Sequence, residues 1–186
     1  MLYELRTLMR GAGPRAGAAL LDGSFGGVFS TEVGTMGEIV VIRPYDPDAT
    51  ARAARGEGRA RLEASVAPQT MELLQPAPFM KPLGAQELGK VYELAWFDFA
   101  PGGLGPAIEA LGASLPAREA LHPITGIWSV EVGPTLDRVY VLTPYRDWDH
   151  RHELQASQGP WPPAFTVAAL RAGSKLLLPT QASGLK

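Results

Sequence analysis

Cysteine is absent from this chain of 186 residues. That excludes disulfides, thiolate nucleophiles and cysteine-ligated zinc or iron–sulfur centres. Histidine is scarce at three residues, and no strong charge of one sign is present: 17 basic side chains face 19 acidic ones, for a net charge of −2. A balance so near neutral argues against nucleic acid or an anionic membrane surface as a partner. No apolar run approaches the roughly 20 residues of a membrane span, so no membrane span is expected. The opening Met1-Leu2-Tyr3-Glu4 lacks the basic flank and apolar core of a secretion signal. Together these absences predict a cytoplasmic protein. Lysine is also rare beside arginine and alanine is abundant, the usage of a GC-rich bacterial genome.

What is present suits a folded chain. Hydrophobic residues make up 46% of it, and a chain of this length buries roughly 70% of its unfolded surface. Gly 21 and Pro 17 are scattered rather than clustered, so they punctuate structure rather than marking low complexity.

The sequence also repeats itself. Leu2-Tyr3-Glu4-Leu5 recurs as Val91-Tyr92-Glu93-Leu94, and Val28-Phe29-Ser30-Thr31-Glu32-Val33-Gly34 as Ile127-Trp128-Ser129-Val130-Glu131-Val132-Gly133. Ile39-Val40-Val41-Ile42-Arg43-Pro44-Tyr45 recurs as Val139-Tyr140-Val141-Leu142-Thr143-Pro144-Tyr145, and Glu72-Leu73-Leu74-Gln75-Pro76 as Lys175-Leu176-Leu177-Leu178-Pro179. Four blocks returning in order about 90 to 100 residues later mark a duplicated unit. The boundaries are 1–82 for the first repeat, 83–89 for a linker and 90–186 for the second.

Each unit predicts the same elements. Tyr3, Leu5 and Thr7 alternate with Glu4 and Arg6, a strand with two unlike faces. Leu104, Ile108, Leu111 and Leu115 form an apolar stripe at helical period, and Pro116 is expected to kink or end that helix. Gly34-Thr35-Met36-Gly37 and Gly133-Pro134-Thr135-Leu136-Asp137 are hairpin turns. Ile39 to Ile42 is continuously apolar, as in a central strand, and is expected to stop at Pro44, as its counterpart does at Pro144. A less regular helical segment then leads to a last strand. The order β-α-β-β-α-β is a ferredoxin-like unit. Two such units can bury their open sheet faces against each other as a pseudo-twofold α+β barrel. The first unit is roughly ten residues short between its first two strands, about 15 Å of helix, so its first helix, within Pro14 to Leu21, is expected to be truncated.

At these blocks the sequence resembles the NIPSNAP family. The resemblance rests on Tyr3-Glu4-Leu5-Arg6-Thr7, Thr31-Glu32-Val33-Gly34, Pro44-Tyr45 and Leu74-Gln75-Pro76-Ala77-Pro78-Phe79. The second half adds Tyr92-Glu93-Leu94, Pro116-Ala117-Arg118, Glu131-Val132-Gly133, Pro144-Tyr145 and His150-Arg151. It implies a dimeric α+β barrel of ferredoxin-like units, in a superfamily that includes cofactor-free monooxygenases, isomerase-like enzymes and haem proteins. The family's third strand often carries a histidine and a tryptophan before Pro-Tyr. Here those positions hold Val41 and Val141, and Arg43 and Thr143, so chemistry through that imidazole is not expected.

The remaining motifs favour structural roles. His150-x-His152 follows Asp147 at an expected helix start, where residues two apart diverge and cannot share a metal. His122 has nothing around it that marks a haem ligand. Gly11-Ala12-Gly13-Pro14-Arg15-Ala16-Gly17 lacks dinucleotide-binding spacing, and Gly23-Ser24-Phe25-Gly26 is not a nucleophile elbow. No metal and no cofactor is expected. Glu4, Glu93, Glu32 and Glu131 recur in strands, either paired with arginines such as Arg6 and Arg43 or acting as bases inside a barrel. Tyr3, Arg6, Tyr92, Trp96 and Trp128 are the candidate ligand-binding residues. The first functional expectation is a protein binding a small apolar molecule in a barrel pocket. The alternatives are a cofactor-independent monooxygenase or isomerase acting on a small aromatic or polyketide-like substrate, and a structural module that forms homo-oligomers through exposed strand edges.

Overall fold

A computed structural model describes residues 1–8, 21, 25–45, 69–84, 87–158, 161 and 168–186. Eight strands run as β1 (Leu2–Leu8), β2 (Gly27–Val33), β3 (Ile39–Tyr45), β4 (Gln69–Pro76), β5 (Val91–Asp98), β6 (Gly126–Val132), β7 (Arg138–Tyr145) and β8 (Arg171–Pro179). Two helices are described, α1 (Leu104–Glu119) between β5 and β6 and α2 (Trp148–Gln158) between β7 and β8. The expected first helix and the Gly11–Gly17 stretch lie outside the described residues, apart from Leu21.

The strands close into one antiparallel ring in the order β1-β3-β2-β8-β5-β7-β6-β4. Each first strand sits between a third and a fourth: β1 pairs with β3 and β4, and β5 with β7 and β8. The seams between the halves are β2–β8 and β4–β6. Each strand therefore has two neighbours within one chain. This corrects the expectation of oligomerisation through strand edges, because closure leaves no edge to offer among the described strands.

Alternation puts one set of side chains inside the ring and the other outside. Tyr3, Leu5, Phe29, Ile42, Tyr92, Leu94, Trp128 and Leu142 fill the interior. Outside, Phe97, Ile127, Val139 and Val141 meet Ala107, Leu111 and Leu115 of α1. Leu8, Val28, Ile39 and Val41 form a smaller outer cluster on the first half with Leu21. As the apolar run predicts, Ile39 to Ile42 are buried in a strand paired on both sides.

Three local expectations change. Both third strands run one residue past Pro44 and Pro144, to Tyr45 and Tyr145, since a strand's last residues tolerate a missing donor. Helix α1 continues beyond Pro116 to Glu119. Glu32 and Glu131 are bulge residues: Thr31 and Val33 face consecutive Leu177 and Leu176, and Val130 and Val132 face consecutive Leu74 and Leu73. The extra residue on each strand turns outward, and both glutamates are exposed.

One end of the barrel is stoppered. The Leu83 backbone N–H donates to the Tyr3 hydroxyl at 2.9 Å. The Tyr92 hydroxyl donates to the Lys186 carbonyl at 3.4 Å and meets the Leu88 backbone. Leu83, Leu88 and Leu185 pack on the interior core there. Among the described residues, no helix is long and apolar enough to cross a membrane.

Candidate functional site

Two of the spaces around the packed barrel gather charged and aromatic side chains on the sheet. The first is a cleft of about 280 Å³ on the outer face of β5, β7 and β8. Ala95, Phe97 and Val141 give it an apolar base, small because alternate positions on β5 and β8 are Ala95, Ala172 and Ser174. Arg118 near the end of α1 and Trp161 form one wall, with the guanidinium carbon 5.7 Å from the ring centroid. Arg118 is buried, and burial lowers its pKa.

Glu93 stands at one side of the cleft. Arg151 of α2 holds it with two bonds of 3.0 Å, and the Tyr145 hydroxyl donates to it at 3.2 Å. Burial, and after it the Glu93 charge, pushes the Tyr145 hydroxyl pKa well up. On the far side of Tyr145, the His122 ring stacks at 5.1 Å and 15°. His122 Nε2 donates to the Pro144 carbonyl. Burial lowers the His122 pKa, so the ring is neutral in the folded protein at neutral pH. Helix α2 is aimed by Asp147, whose carboxylate accepts the His150 backbone N–H at 2.8 Å, the cap its sequence predicts.

The second space, of about 450 Å³, lies inside the barrel at the end opposite the stopper. Leu5, Leu94 and Trp96 form its floor. Above them runs a chain of polar contacts. Arg138 binds Asp98 at 2.5 and 2.9 Å and donates to the Tyr140 hydroxyl at 3.2 Å. Tyr140 donates to Glu72 at 2.6 Å. Arg138 holds Asp98 below the usual carboxylate range, while burial and Glu72 raise Tyr140. Across the mouth, Lys175 pairs with Glu38, which also accepts from Thr31 at 3.3 Å.

The sequence-predicted residues divide among core, cavity and outer face. Tyr3, Tyr92 and Trp128 are buried in the interior core, with Tyr3 and Trp128 edge to face at 5.7 Å. Both tyrosine hydroxyls are committed to the stopper, and burial pushes that of Tyr92 up to about 12. Trp96 lies on the open cavity, its ring across Gly173, where any side chain would overlap it. Arg6 is on the outer face, with Glu4, only 1% exposed, between it at 2.6 Å and Arg43 at 3.0 Å. Of the repeated glutamates, Glu4 and Glu93 are thus held by arginines. Sequence reasoning missed Trp161, signalled only as a lone tryptophan among prolines, and Glu72 and Tyr140, which read as ordinary strand positions. Aromatic rings fill the middle of the barrel, and the space left inside it, at the open end, has an apolar floor and a charged mouth. Among the described residues, no cluster of three metal-binding side chains occurs.

The sequence model of the NIPSNAP family matches residues 92–167. No curated protein matches the chain in sequence. Among solved structures, a candidate monooxygenase from Lactobacillus acidophilus NCFM is similar at TM-score 0.67 and 12% identity, covering 96% of this chain and 93% of that one. A ferredoxin-fold protein related to antibiotic biosynthesis monooxygenases, from Listeria monocytogenes, is similar at TM-score 0.61 and 8% identity, covering 97% and 95%. A haem-binding protein from Thermus thermophilus is similar at TM-score 0.56 and 10% identity, covering 97% and 92%. At such identities the likeness is one of fold. The cleft draws Glu93, Arg118, Tyr145 and Trp161 from the matched stretch. On a closed α+β barrel of ferredoxin type, this chain is similar to the NIPSNAP family over residues 92–167.

Proposed function

We propose that this protein binds a small, flat, largely apolar molecule bearing one anionic group in the cleft between its helices and the outer face of β5, β7 and β8. The observation that carries this reading is a buried guanidinium, Arg118, set beside the Trp161 ring at the wall of an otherwise mostly apolar space. An aromatic face gives a flat ligand a stacking surface, and a partly desolvated arginine favours a carboxylate, sulfonate or phenolate. A haem fits the donor set poorly. An axial ligand must project a free donor, yet the cleft's tyrosine, Tyr145, gives its hydroxyl to Glu93, and no histidine lines the cleft among the described residues.

The tandem organisation, with repeats 1–82 and 90–186 joined by 83–89, belongs to the same reading. It is supported by the strand order, which is unchanged when each strand is replaced by the one four later. Self-association, on this account, uses helix or loop surfaces, and the setting is cytoplasmic. Of the barrel residues first expected to bind ligand, Trp96 keeps that role at the open end, while Tyr3, Arg6, Tyr92 and Trp128 hold the frame around it.

The test uses 8-anilinonaphthalene-1-sulfonate, an aromatic sulfonate whose fluorescence rises on binding. Wild type is expected to bind it. Arg118→Met or Trp161→Ala is expected to weaken binding about tenfold, and Ala95→Leu, which fills the base, to abolish it. Dye binding unchanged in all three variants overturns the proposal. The alternative, a cofactor-independent monooxygenase or isomerase, is favoured by the fold shared with monooxygenase-related proteins. It is disfavoured by Glu93, whose carboxylate oxygens are already engaged by Arg151 and Tyr145. Oxygen uptake with an electron-rich polyphenol in the absence of added cofactor would favour the enzyme.

A further inference from the structure

The open end of the barrel is a second space, separated from the cleft by the sheet itself. Its lining has an order visible in the sequence blocks. Leu5 aligns with Leu94 and Thr7 with Trp96, while Glu38 aligns with Arg138 and Glu72 with Lys175. All of these side chains line the same cavity. At matched positions the first half supplies acids and the second half supplies bases, so the mouth is dipolar rather than uniformly charged.

Most of these charges are already paired. Lys175 is on Glu38 and Arg138 is on Asp98. Glu72 is different. It is only 7% exposed; one carboxylate oxygen accepts from Tyr140, and among the described residues no cation pairs with it. A buried carboxylate with a single neutral donor and no cation beside it is poorly compensated. On the β8 side stands Arg171, exposed and in register with Asp98, whose carboxylate it favours at longer range while the direct ion pair of Asp98 is to Arg138. Between these groups lie Leu5, Leu94 and the Trp96 ring.

We propose that this mouth binds a small zwitterion of the amino-carboxylate class. The ammonium group sits on Glu72, the carboxylate faces Arg171, and an apolar side chain rests on Leu5, Leu94 and Trp96. A volume of about 450 Å³ admits a molecule of amino-acid size. A plain anion would meet Glu72, and a plain cation would meet Lys175, Arg138 and Arg171. A molecule with both charges satisfies both sides.

The probe is L-phenylalanine, titrated calorimetrically into the intact protein at millimolar concentration. N-acetyl-L-phenylalanine, which lacks the cation, and L-phenylalaninamide, which lacks the carboxylate, serve as the other arms. L-phenylalanine is expected to bind, and each derivative to bind at least about tenfold more weakly. Glu72→Gln is expected to weaken L-phenylalanine about tenfold. Arg171→Ala, at an exposed position that leaves the fold intact, is expected to weaken it about threefold. If Glu72→Gln does not fold, Arg171→Ala and the two derivatives decide the matter. Absence of L-phenylalanine binding to wild type, equal binding of the N-acetyl compound, or unchanged binding in Arg171→Ala overturns the proposal. The Arg118 and Trp161 variants are expected to leave this binding unchanged, so the two sites succeed or fail separately.

Discussion

Tyr140 is the residue on which the polar chain of the barrel mouth turns. It accepts from Arg138 and donates to Glu72. Tyr140→Phe removes the donor to a buried carboxylate without changing shape, and should destabilise the protein by about 1–3 kcal/mol, read as a lower urea midpoint at unchanged slope. His122 offers a second test. Burial lowers its pKa below the usual 6.5, so the unfolded chain binds the proton more readily than the folded one. Stability from the neutral ring is therefore fully present above pH about 6.5 and declines as pH falls below it. His122→Phe should flatten the stability profile between pH about 7 and 5, measured by urea unfolding at each pH. A variant with the wild-type slope would remove His122 from the account. These roles were not legible in sequence, because burial and stacking partners come from distant strands: Tyr140 reaches Glu72 across 68 positions.

At the scale of elements, sequence served the strands well and their irregularities badly. Alternation in Leu2–Leu8 and the continuous run Ile39 to Ile42 sort inside from outside as observed. Glu32 and Glu131 show where period-two reading fails. Within an uninterrupted strand each would face a defined side, yet each is the surplus residue of a bulge. A bulge is a property of pairing with another strand, so one strand's own pattern does not contain it. Glu131→Ala should change stability by no more than about 0.5 kcal/mol. Deleting Glu131 shifts the register of the strand beyond it and should lower Tm by roughly 6–12 °C, for a loss of about 3 kcal/mol. Equal effects of substitution and deletion would mean that the bulge has no register role. Pro116 gives the complementary lesson. Read locally it breaks a helix, yet packing of Leu111 and Leu115 carries α1 through to Glu119.

For the whole molecule, the four repeated blocks foretold eight strands, and those strands build the ring. The cleft was less visible, because its walls combine β5, α1, β7, α2 and the lone Trp161, positions that share a site only after the chain has wound around the barrel. Closure also binds the halves together: β6 needs β4, and β8 needs β2. A fragment of residues 90–186 would expose the unpaired sides of both strands. It should elute as a dimer or larger species in size-exclusion chromatography with light scattering, whereas a stable monomer would show that the half completes itself. The ring has a last consequence, for exchange with solvent. An open sheet frays from its outermost strands inward, giving amides a gradient of protection. A cylinder has no outermost strand, so deuterium uptake should be similarly slow across the backbone amides shared by all eight, and the sheet should yield its protons only when the whole cylinder comes apart.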